Sequence, residues 1–292
     1  MKKHSAENEF LKIQIQETGA ELCSLIDKRT GIEHIWQADP KIWSSHAPNL
    51  FPIIGALKDG MTYFEGKPYE IPKHGLVRHN KDIRLKQRTE TELVFELIYS
   101  EDSLKLYPFK FDFRISFSLS GSSLQVKHQV INLGTEKMYF SLGGHPAFNI
   151  CLFEKEKIED YSIEFDQNMN LDTYLLNDDG LVSTTTRKVL ENENSIRLSP
   201  EIFKKDALIF KNIASSKARL ISKQKGEILS VHYSDFRNLG IWAKPGAPYV
   251  CIEPWLGIAD TAETDQQLKN KEGIMELMPA QEFKAGYTIA IA

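Results

Sequence analysis

Hydrophobic and polar residues alternate with a period of two along much of the chain. In the clearest run, hydrophobic residues occupy every second position from 109 to 119, and polar residues fill the positions between them. This pattern predicts a long strand with one buried and one solvent-facing side. A turn at residues 120–123 leads into a second alternating run at 124–130, so we expect the two runs to pair as an antiparallel hairpin.

Shorter segments with strand-like composition follow at intervals, whereas helical patterns are scarce. The segments that predict further strands are residues 93–99, 162–165, 207–210, 218–222, 228–233, 239–242, 249–252 and 283–291. One or two helical turns are predicted at residues 265–271, and another at 199–203, where a serine precedes a proline. Many short strands without intervening helices indicate an all-β sandwich or barrel.

Residues 166–194 form the most polar and turn-rich stretch of the chain, and we interpret them as long loops within one domain. The stretch includes Asn177-Asp178-Asp179-Gly180 and Glu191-Asn192-Glu193-Asn194. A linker is the alternative, but strands of the same type are predicted on both sides of the stretch. By length alone the chain could form two domains, and we favour a single domain over residues 1–292.

The composition is that of a folded globular protein and excludes some classes of partner. Hydrophobic residues make up 41% of the chain and charged residues 26%. The 36 basic and 40 acidic residues give a net charge of −4, so no basic field predicts binding to nucleic acid. We therefore expect a small-molecule partner, neutral or modestly charged, and a monomer or homodimer.

Targeting signals and cysteine motifs are also missing from the sequence. No apolar run follows the basic residues at the N-terminus, which argues against a secretory signal, and no window reaches transmembrane length. The cysteines, Cys23, Cys151 and Cys251, lack C-x-x-C spacing, which argues against a disulfide framework or a zinc site. We expect a cytoplasmic protein without membrane contact and without a bound metal.

Two side chains that can transfer protons, those of His145 and Glu253, adjoin strand-like segments. Two glycines precede His145 and allow the backbone to approach a ligand closely, and a proline stiffens the chain after it. Glu253 follows the buried-strand pattern of residues 249–252, so its carboxylate should lie at the edge of a core, partly desolvated. An imidazole and a carboxylate placed in this way are a candidate acid–base pair.

Five further segments follow one another along the chain: Asn49-Leu50-Phe51-Pro52-Ile53-Ile54-Gly55, Lys73-His74-Gly75-Leu76-Val77-Arg78, Gly144-His145-Pro146-Ala147-Phe148-Asn149, Asp206-Ala207-Leu208-Ile209-Phe210 and Glu253-Pro254-Trp255-Leu256-Gly257-Ile258-Ala259-Asp260. In this order they resemble the aldose 1-epimerase (galactose mutarotase) superfamily, most closely its LacX-like branch. They cover nearly the full length of the chain. The resemblance implies a large antiparallel β-sandwich whose concave face binds a hexose, and a chemistry that needs no cofactor.

The resemblance also implies roles for individual residues. The general acid of the family falls on His145 and its general base on Glu253. A second sugar-contacting histidine falls on His74, and a hydroxyl-binding aspartate falls on Asp206.

The chemistry of anomerisation needs residues of these types. A base removes the proton from the anomeric hydroxyl while an acid protonates the ring oxygen, so the hemiacetal opens, the C1–C2 bond rotates and the ring recloses. The carboxylate should be ionised, and the imidazole should be able to carry a proton near neutral pH. We expect the two groups to face each other across a sugar-sized cleft, with Trp255 and Phe148 offering an apolar surface to the CH face of the sugar.

Three functions remain open. The first is a mutarotase that acts on a free aldose such as galactose or glucose. The second is a hexose-6-phosphate mutarotase, with Lys58, Lys73 and Arg78 as candidate phosphate ligands. The third is a non-catalytic sugar-binding protein on the same scaffold, against which the presence of both His145 and Glu253 argues. A glycosidase is a weaker rival, because it normally needs two carboxylates at the scissile bond.

One position departs from the family pattern. Many relatives have an arginine directly after the glycine of the Phe-Pro-Ile-x-Gly segment, whereas this chain has Ala56 after Gly55. The departure removes a donor to sugar or phosphate oxygens, and Lys58 lacks the planar fork that would replace it. It therefore concerns the identity of the substrate rather than the type of reaction.

Overall fold

Antiparallel β-strands make up most of the structure, a computed structural model that describes residues 2–292. In chain order the strands are β1 (Lys3–Glu7), β2 (Leu11–Gln16), β3 (Glu21–Asp27), β4 (Asn49–Leu50), β5 (Thr62–Phe64), β6 (Lys67–Tyr69), β7 (Arg84–Arg88), β8 (Glu92–Ile98), β9 (Phe111–Ser120), β10 (Ser123–Asn132), β11 (Met138–Phe140), β12 (Leu142–Gly144), β13 (Ala147–Asn149), β14 (Tyr161–Leu176), β15 (Val182–Arg197), β16 (Leu208–Phe210), β17 (Lys217–Ser222), β18 (Gly226–His232), β19 (Asn238–Trp242), β20 (Tyr249–Leu256), β21 (Met275–Leu277) and β22 (Glu282–Ile291). The predicted all-β fold built from large antiparallel sheets is confirmed.

One 15-stranded sheet contains most of these strands. Its main path runs β4-β12-β20-β19-β16-β14-β17-β18-β22-β10-β9-β8-β7, with β13 paired to β20 and β15 paired to β14. Strands β1 to β3 form a separate three-stranded sheet, and the pairs β5-β6 and β11-β21 form two-stranded sheets. Because β12 and β13 both pair with β20, the long sheet brings the chain around residue 145 beside the chain around residue 253.

The predicted hairpin at residues 109–130 is confirmed as β9 and β10. Phe117 lies opposite Val126 and Phe113 lies opposite Val130, and all four side chains are buried. The period-two pattern thus places matching hydrophobic faces of both strands in the core, where cross-strand pairs stabilise the sheet.

Helical structure is limited to short segments. The sequence patterns do not predict the helix α1 (Glu101–Leu106), which begins with a reciprocal cap: Ser100 Oγ accepts the Ser103 N–H at 3.1 Å, and Ser103 Oγ accepts the Ser100 N–H at 2.8 Å. The two predicted helical turns are 3₁₀ helices at Pro200–Phe203 and Leu268–Asn270. Within residues 2–292 there is no helix whose length and apolar character would allow it to cross a membrane.

One hydrophobic core connects the first strands with the last. It extends from Ala6 in β1 to Ile291 in β22 and includes buried side chains of both the three-stranded and the 15-stranded sheet. Within this core Phe51 stacks on Phe113, with ring centroids 5.0 Å apart. This continuity favours a single domain, which stays a prediction. A smaller cluster around Trp255 contributes to the cavity described below.

The interpretation of residues 166–194 as long loops is wrong, because most of them belong to β14 and β15. These two 16-residue strands pair with each other as a hairpin, and only the turn at residues 177–181 separates them. Their pairing contains four register shifts, which interrupt the alternation of buried and exposed positions. Since half of the residues of β15 are exposed and only three are buried, the sequence lacks the hydrophobic period that marks the other strands.

Candidate active site

A cavity of about 310 Å³ opens beside β20 and contains nearly all of the residues predicted to form the site. Its polar lining residues are Lys73, His74, Arg78, His145, Asp206, Lys244 and Glu253, and its aromatic lining residues are Trp43, Trp242 and Trp255. Seven of the nine predicted site residues therefore lie together, and Phe148 and Lys58 do not line the cavity. The volume lies at the lower end of the range for small-molecule pockets.

His145 directly follows β12, and the two glycines before it are needed for packing. A Cβ atom on Gly143 would come within 2.8 Å of the Trp255 ring, and one on Gly144 would come within 2.6 Å of the Tyr287 ring. Any larger residue would therefore displace an aromatic side chain. The glycines allow a close approach of the backbone, as predicted from the sequence, but the backbone approaches protein side chains rather than a ligand.

Glu253 lies inside β20 rather than at its end. All eight residues of β20 are buried, because β19 pairs with one edge and β12 and β13 pair with the other. Gly240 on β19 lies opposite Glu253, and a Cβ atom there would come within 2.5 Å of the Trp255 ring. The carboxylate thus projects from a fully covered strand into the cavity, and only 1% of the residue is exposed.

The side chains of His145 and Glu253 contact each other directly. His145 Nε2 lies 3.2 Å from Glu253 Oε2. Trp43 stacks on the imidazole with ring centroids 5.0 Å apart, and the ring of His74 meets it edge-on at 5.6 Å. The aromatic contacts fix the plane of the imidazole, so the pair is held as a unit. The expectation of two groups separated by a sugar-sized cleft is wrong for this structure.

Burial disfavours charge on both members of the pair. Burial, with the positive charge of Arg78 as a smaller cause, lowers the pKa of His145 to about 3. Burial, with the negative charge of Asp206 as a second cause, raises the pKa of Glu253 well above its ordinary value. The sugar-free pair therefore favours a neutral imidazole and a protonated carboxyl group. This is the reverse of the protonation predicted from the sequence, because desolvation penalises both charged forms.

His74 presents one nitrogen to the cavity as a hydrogen-bond donor. Its Nδ1 accepts the backbone N–H of Gly55 at 3.2 Å, while its own backbone N–H donates to the Gly55 carbonyl at 2.9 Å. Burial lowers the pKa of His74 well below its ordinary value, so the ring is neutral. A neutral imidazole that accepts at Nδ1 carries its proton on Nε2, which can donate to a hydroxyl oxygen.

Three cations line the cavity. Arg78 is half-buried and donates from Nη2 to Ser45 Oγ at 3.2 Å, whereas Lys73 and the unpredicted Lys244 are exposed. Lys58 does not belong to this group, because its Nζ donates to the carbonyl of Ala262 at 2.9 Å and it does not line the cavity. The prediction of Lys58 as a phosphate ligand is therefore not supported by its position.

Only one of the two aromatic residues predicted to contact the sugar lines the cavity. Trp255 lines the cavity, whereas Phe148 is fully buried in the core on β13, opposite Val250. Trp43 and Trp242 line the cavity without having been predicted. A tryptophan at the end of the predicted strand 239–242 was a usable signal, but Trp43 lies in a segment without a strand or helix pattern.

Asp206 lies on the outer wall of the cavity. It is exposed, has a positive φ of 69°, and accepts the Ala207 N–H on Oδ1 at 2.7 Å. Leu176 and Gly180, at the tip of the β14–β15 hairpin, line the same cavity. The stretch taken for loops thus supplies part of the site.

Several buried polar atoms around the cavity have no hydrogen-bond partner among residues 2–292. They are Arg78 Nε, His145 Nδ1, Trp255 Nε1 and Glu253 Oε2, whose 3.2 Å contact with His145 Nε2 lacks the geometry of a hydrogen bond. Buried polar groups are normally satisfied, so this set indicates a place where a ligand with several hydroxyl groups can supply the partners. Next to the tryptophan rings, such a lining suits a sugar, which has apolar CH faces and polar edges.

Comparisons with known proteins find relatives that are similar in sequence and in fold. A sequence model of the aldose 1-epimerase family matches residues 2–261. The plasmid-encoded protein LacX of Lactococcus lactis is 34% identical over 97% of both chains. The solved structure of a galactose mutarotase related enzyme from Lactobacillus acidophilus superposes with a TM-score of 0.94 at 34% identity, over 100% of this chain and 97% of the other. A galactose mutarotase-like protein from Lactobacillus casei gives a TM-score of 0.93 at 26% identity, over 100% of both chains.

Proposed function

The chain belongs to the aldose 1-epimerase family, and from this premise we propose that it is a mutarotase, which interconverts the α and β anomers of a hexose. The observation that carries the proposal is the 3.2 Å contact between His145 Nε2 and Glu253 Oε2 inside a sugar-sized cavity. The ring oxygen and the anomeric hydroxyl are bonded to the same carbon. An acid and a base that serve these two atoms must therefore lie close together, as these side chains do.

The pair holds one proton, and the sugar decides where that proton lies. In the sugar-free protein it lies on Glu253 because burial disfavours the charged forms. An anomeric hydroxyl that donates to Glu253 stabilises the carboxylate, and a ring oxygen that accepts from His145 stabilises the imidazolium. Transfer of one proton across the 3.2 Å contact then gives the acid and base that ring opening needs.

Ring opening follows from that arrangement. Glu253 takes the proton of the anomeric hydroxyl, His145 protonates the ring oxygen, and the bond between C1 and the ring oxygen breaks. Rotation about C1–C2 and the reverse proton transfers close the ring with the opposite configuration. His74, through Nε2–H, and the indole of Trp255 supply a donor and an apolar surface that keep the open sugar in place.

The direct test is polarimetry on freshly dissolved anomers. Purified protein should accelerate the approach of α-glucose and α-galactose to equilibrium in proportion to its concentration, above the spontaneous rate. A protein that binds either sugar in calorimetry without any such acceleration would instead be a sugar-binding protein, and the mutarotase proposal would be wrong.

The protonation of the resting pair predicts an unusual pH profile. At low pH, kcat/KM should fall when the pair takes up a second proton. Because that proton would bind His145, whose pKa is about 3, the fall should begin only at strongly acidic pH. We expect kcat/KM at pH 4 to stay within about twofold of its value at pH 6, whereas a base with the ordinary glutamate pKa would lose about two-thirds of its activity. The alkaline limb should mark loss of the pair's proton from Glu253. Circular dichroism at pH 4 controls for unfolding, and an acid limb near pH 4.5 in folded protein would contradict the assignment.

A hexose phosphate is the second candidate substrate, favoured by the three cations in the cavity lining. Arg78 offers a guanidinium with an unpartnered Nε, and Lys73 and Lys244 add exposed ammonium groups. Guanidinium and ammonium groups together are suited to a phosphate.

If the cations bind a phosphate, Arg78→Ala should weaken kcat/KM for glucose 6-phosphate by about 10- to 100-fold, the cost of a lost charged hydrogen bond, and leave free glucose nearly unchanged. The matched control is Lys58→Ala, which removes a cation outside the cavity and should leave both substrates unaffected. Equal losses on both sugars in Arg78→Ala would make Arg78 a structural residue and favour a free hexose.

A further inference from the structure

Cys251 lies next to the acid–base pair, and the sugar chemistry does not use it. It precedes Glu253 by two positions on β20, so both side chains point to the same face of the strand. One ring nitrogen of His145, the Sγ atom of Cys251 and a carboxylate oxygen of Glu253 all lie within 4.8 Å of one another. The three residues are exposed by only 7%, 0% and 1%, respectively.

One ligand atom of this cluster lacks a hydrogen-bond partner, which supports a ligand there. Glu253 Oε2 is buried and makes no hydrogen bond within residues 2–292. Buried groups of this kind are usually satisfied by protein, water or an ion.

We propose that His145, Cys251 and Glu253 bind a thiophilic divalent cation, represented by Zn²⁺ or Cd²⁺, and that the bound ion stops proton transfer by the pair. The proposed metal binding depends only on the geometry, whereas the predicted loss of activity also depends on the proposed mutarotase function. The sequence argued against a zinc site because it has no C-x-x-C spacing, but here the ligands come from two distant segments that the sheet brings together.

The donor set and its spacing suit zinc. Nitrogen, sulfur and oxygen ligands at about 2.0 to 2.3 Å in a tetrahedral site lie roughly 3.5 Å from one another. The separation of 3.2 Å between His145 Nε2 and Glu253 Oε2 is already close to this value. The largest separation, up to 4.8 Å, would close with a shift of roughly 1 Å, within reach of a side-chain rotation.

The charges also balance. Binding releases the proton of the Cys251 thiol and that of the Glu253 carboxyl group to solvent, so two anions neutralise the dication. A neutral assembly avoids the cost of an uncompensated charge at this buried position. His145 and Glu253 line the cavity and Cys251 lies behind them, so the fourth position of the metal faces the cavity and can take water or a sugar hydroxyl.

Inhibition follows from the sharing of ligand atoms. A metal ion that uses the lone pair of His145 and the carboxylate of Glu253 leaves neither atom able to accept a proton. The ion and the sugar then compete for one place, so a saturating hexose should raise the Zn²⁺ concentration needed for half-maximal inhibition.

Cadmium titration of tag-free protein tests the site without any assay of activity. Wild-type protein should bind one Cd²⁺ with the ultraviolet charge-transfer absorption of a cadmium–thiolate bond. Cys251→Ala should lose that band and bind Cd²⁺ at least about 100-fold more weakly. The loss of a direct metal ligand lowers the affinity at least as much as the loss of a residue that hydrogen-bonds to a ligand. Cys251→Ser, which keeps the size of the side chain, should behave in the same way and guards against a packing effect.

Cys23→Ala and Cys151→Ala are the matched controls, because neither cysteine belongs to the cluster, and both variants should keep the band. A wild-type protein without the band at millimolar Cd²⁺, or a band that survives in folded Cys251→Ala, would overturn the metal site.

Zinc inhibition tests the functional consequence. Wild-type mutarotation should stop with micromolar Zn²⁺ and return with EDTA, while Cys251→Ala, normalised to its own metal-free rate, should need at least about 100-fold more Zn²⁺. Equal sensitivity of the two proteins would overturn the proposal while the mutarotase function stands. If neither protein has mutarotase activity, the proposed function fails and the cadmium titration still decides the metal site.

Discussion

Replacing Glu253 with glutamine should lower the rate of anomerisation by about 10²- to 10⁴-fold while sugar binding survives. The amide is nearly isosteric with the carboxyl group, so it fits the fully covered position on β20. It cannot, however, take up the proton of the anomeric hydroxyl. Because only 1% of the residue is exposed, solvent has little access to replace it as the base.

The measurement is polarimetry against the spontaneous background, together with calorimetry for sugar affinity. Glu263→Gln, which changes an exposed glutamate outside the cavity, is the matched control and should keep the native rate. Near-native turnover in folded Glu253→Gln would contradict the assignment of the base.

His145→Asn should have a similar effect through loss of the acid, and the double variant tests whether the two residues act as one unit. Since a single proton serves both side chains across their 3.2 Å contact, removing either one disables the pair. The double variant should therefore be little slower than the slower single variant, as for other catalytic groups that work together. Rate losses that multiply would show that the two groups act independently.

Removing the amino group of Lys271 should lower the free energy of unfolding by about 3 to 5 kcal/mol, the second large effect that we expect. Lys271 Nζ lies 2.7 Å from Asp260 Oδ1, and the two side chains are only 2% and 3% exposed. Asp260 Oδ2 also accepts the backbone N–H of Lys58 at 3.0 Å. Lys271→Ala would leave the Asp260 carboxylate buried without its countercharge, in the loop that follows β20 and reaches the wall of the cavity through Ala259.

Urea unfolding at neutral pH measures this effect. Lys269→Ala changes an exposed lysine two positions away and should alter the free energy of unfolding by no more than about 0.5 kcal/mol. Asp260→Leu with Lys271→Met should recover much of the loss, because replacing both partners by apolar side chains removes the buried charge as well. A change below about 1 kcal/mol in Lys271→Ala would mean that water reaches the pair.

The sequence by itself determined the fold class and most of the membership of the site. Alternation with a period of two is a local property of a strand that has one buried side, so the pairing of β9 with β10 could be predicted without any knowledge of distant residues. The ordered motifs of the family likewise predicted that His74, His145 and Glu253 share one site, and all three line one cavity.

The tertiary structure alone decided what depends on neighbours distant in sequence. Strands β14 and β15 escape prediction because register shifts and exposed side chains remove their hydrophobic period. The direct contact of His145 with Glu253 arises from the pairing of β12 and β13 with β20.

The protonation of that pair follows from burial, which no local pattern reports. For the same reason the sequence predicts Phe148 as a sugar contact although it lies in the core, and gives no role to Cys251 beside the pair. The sequence specifies the identity of each side chain, whereas the strands that pack against that side chain determine its desolvation and its partners.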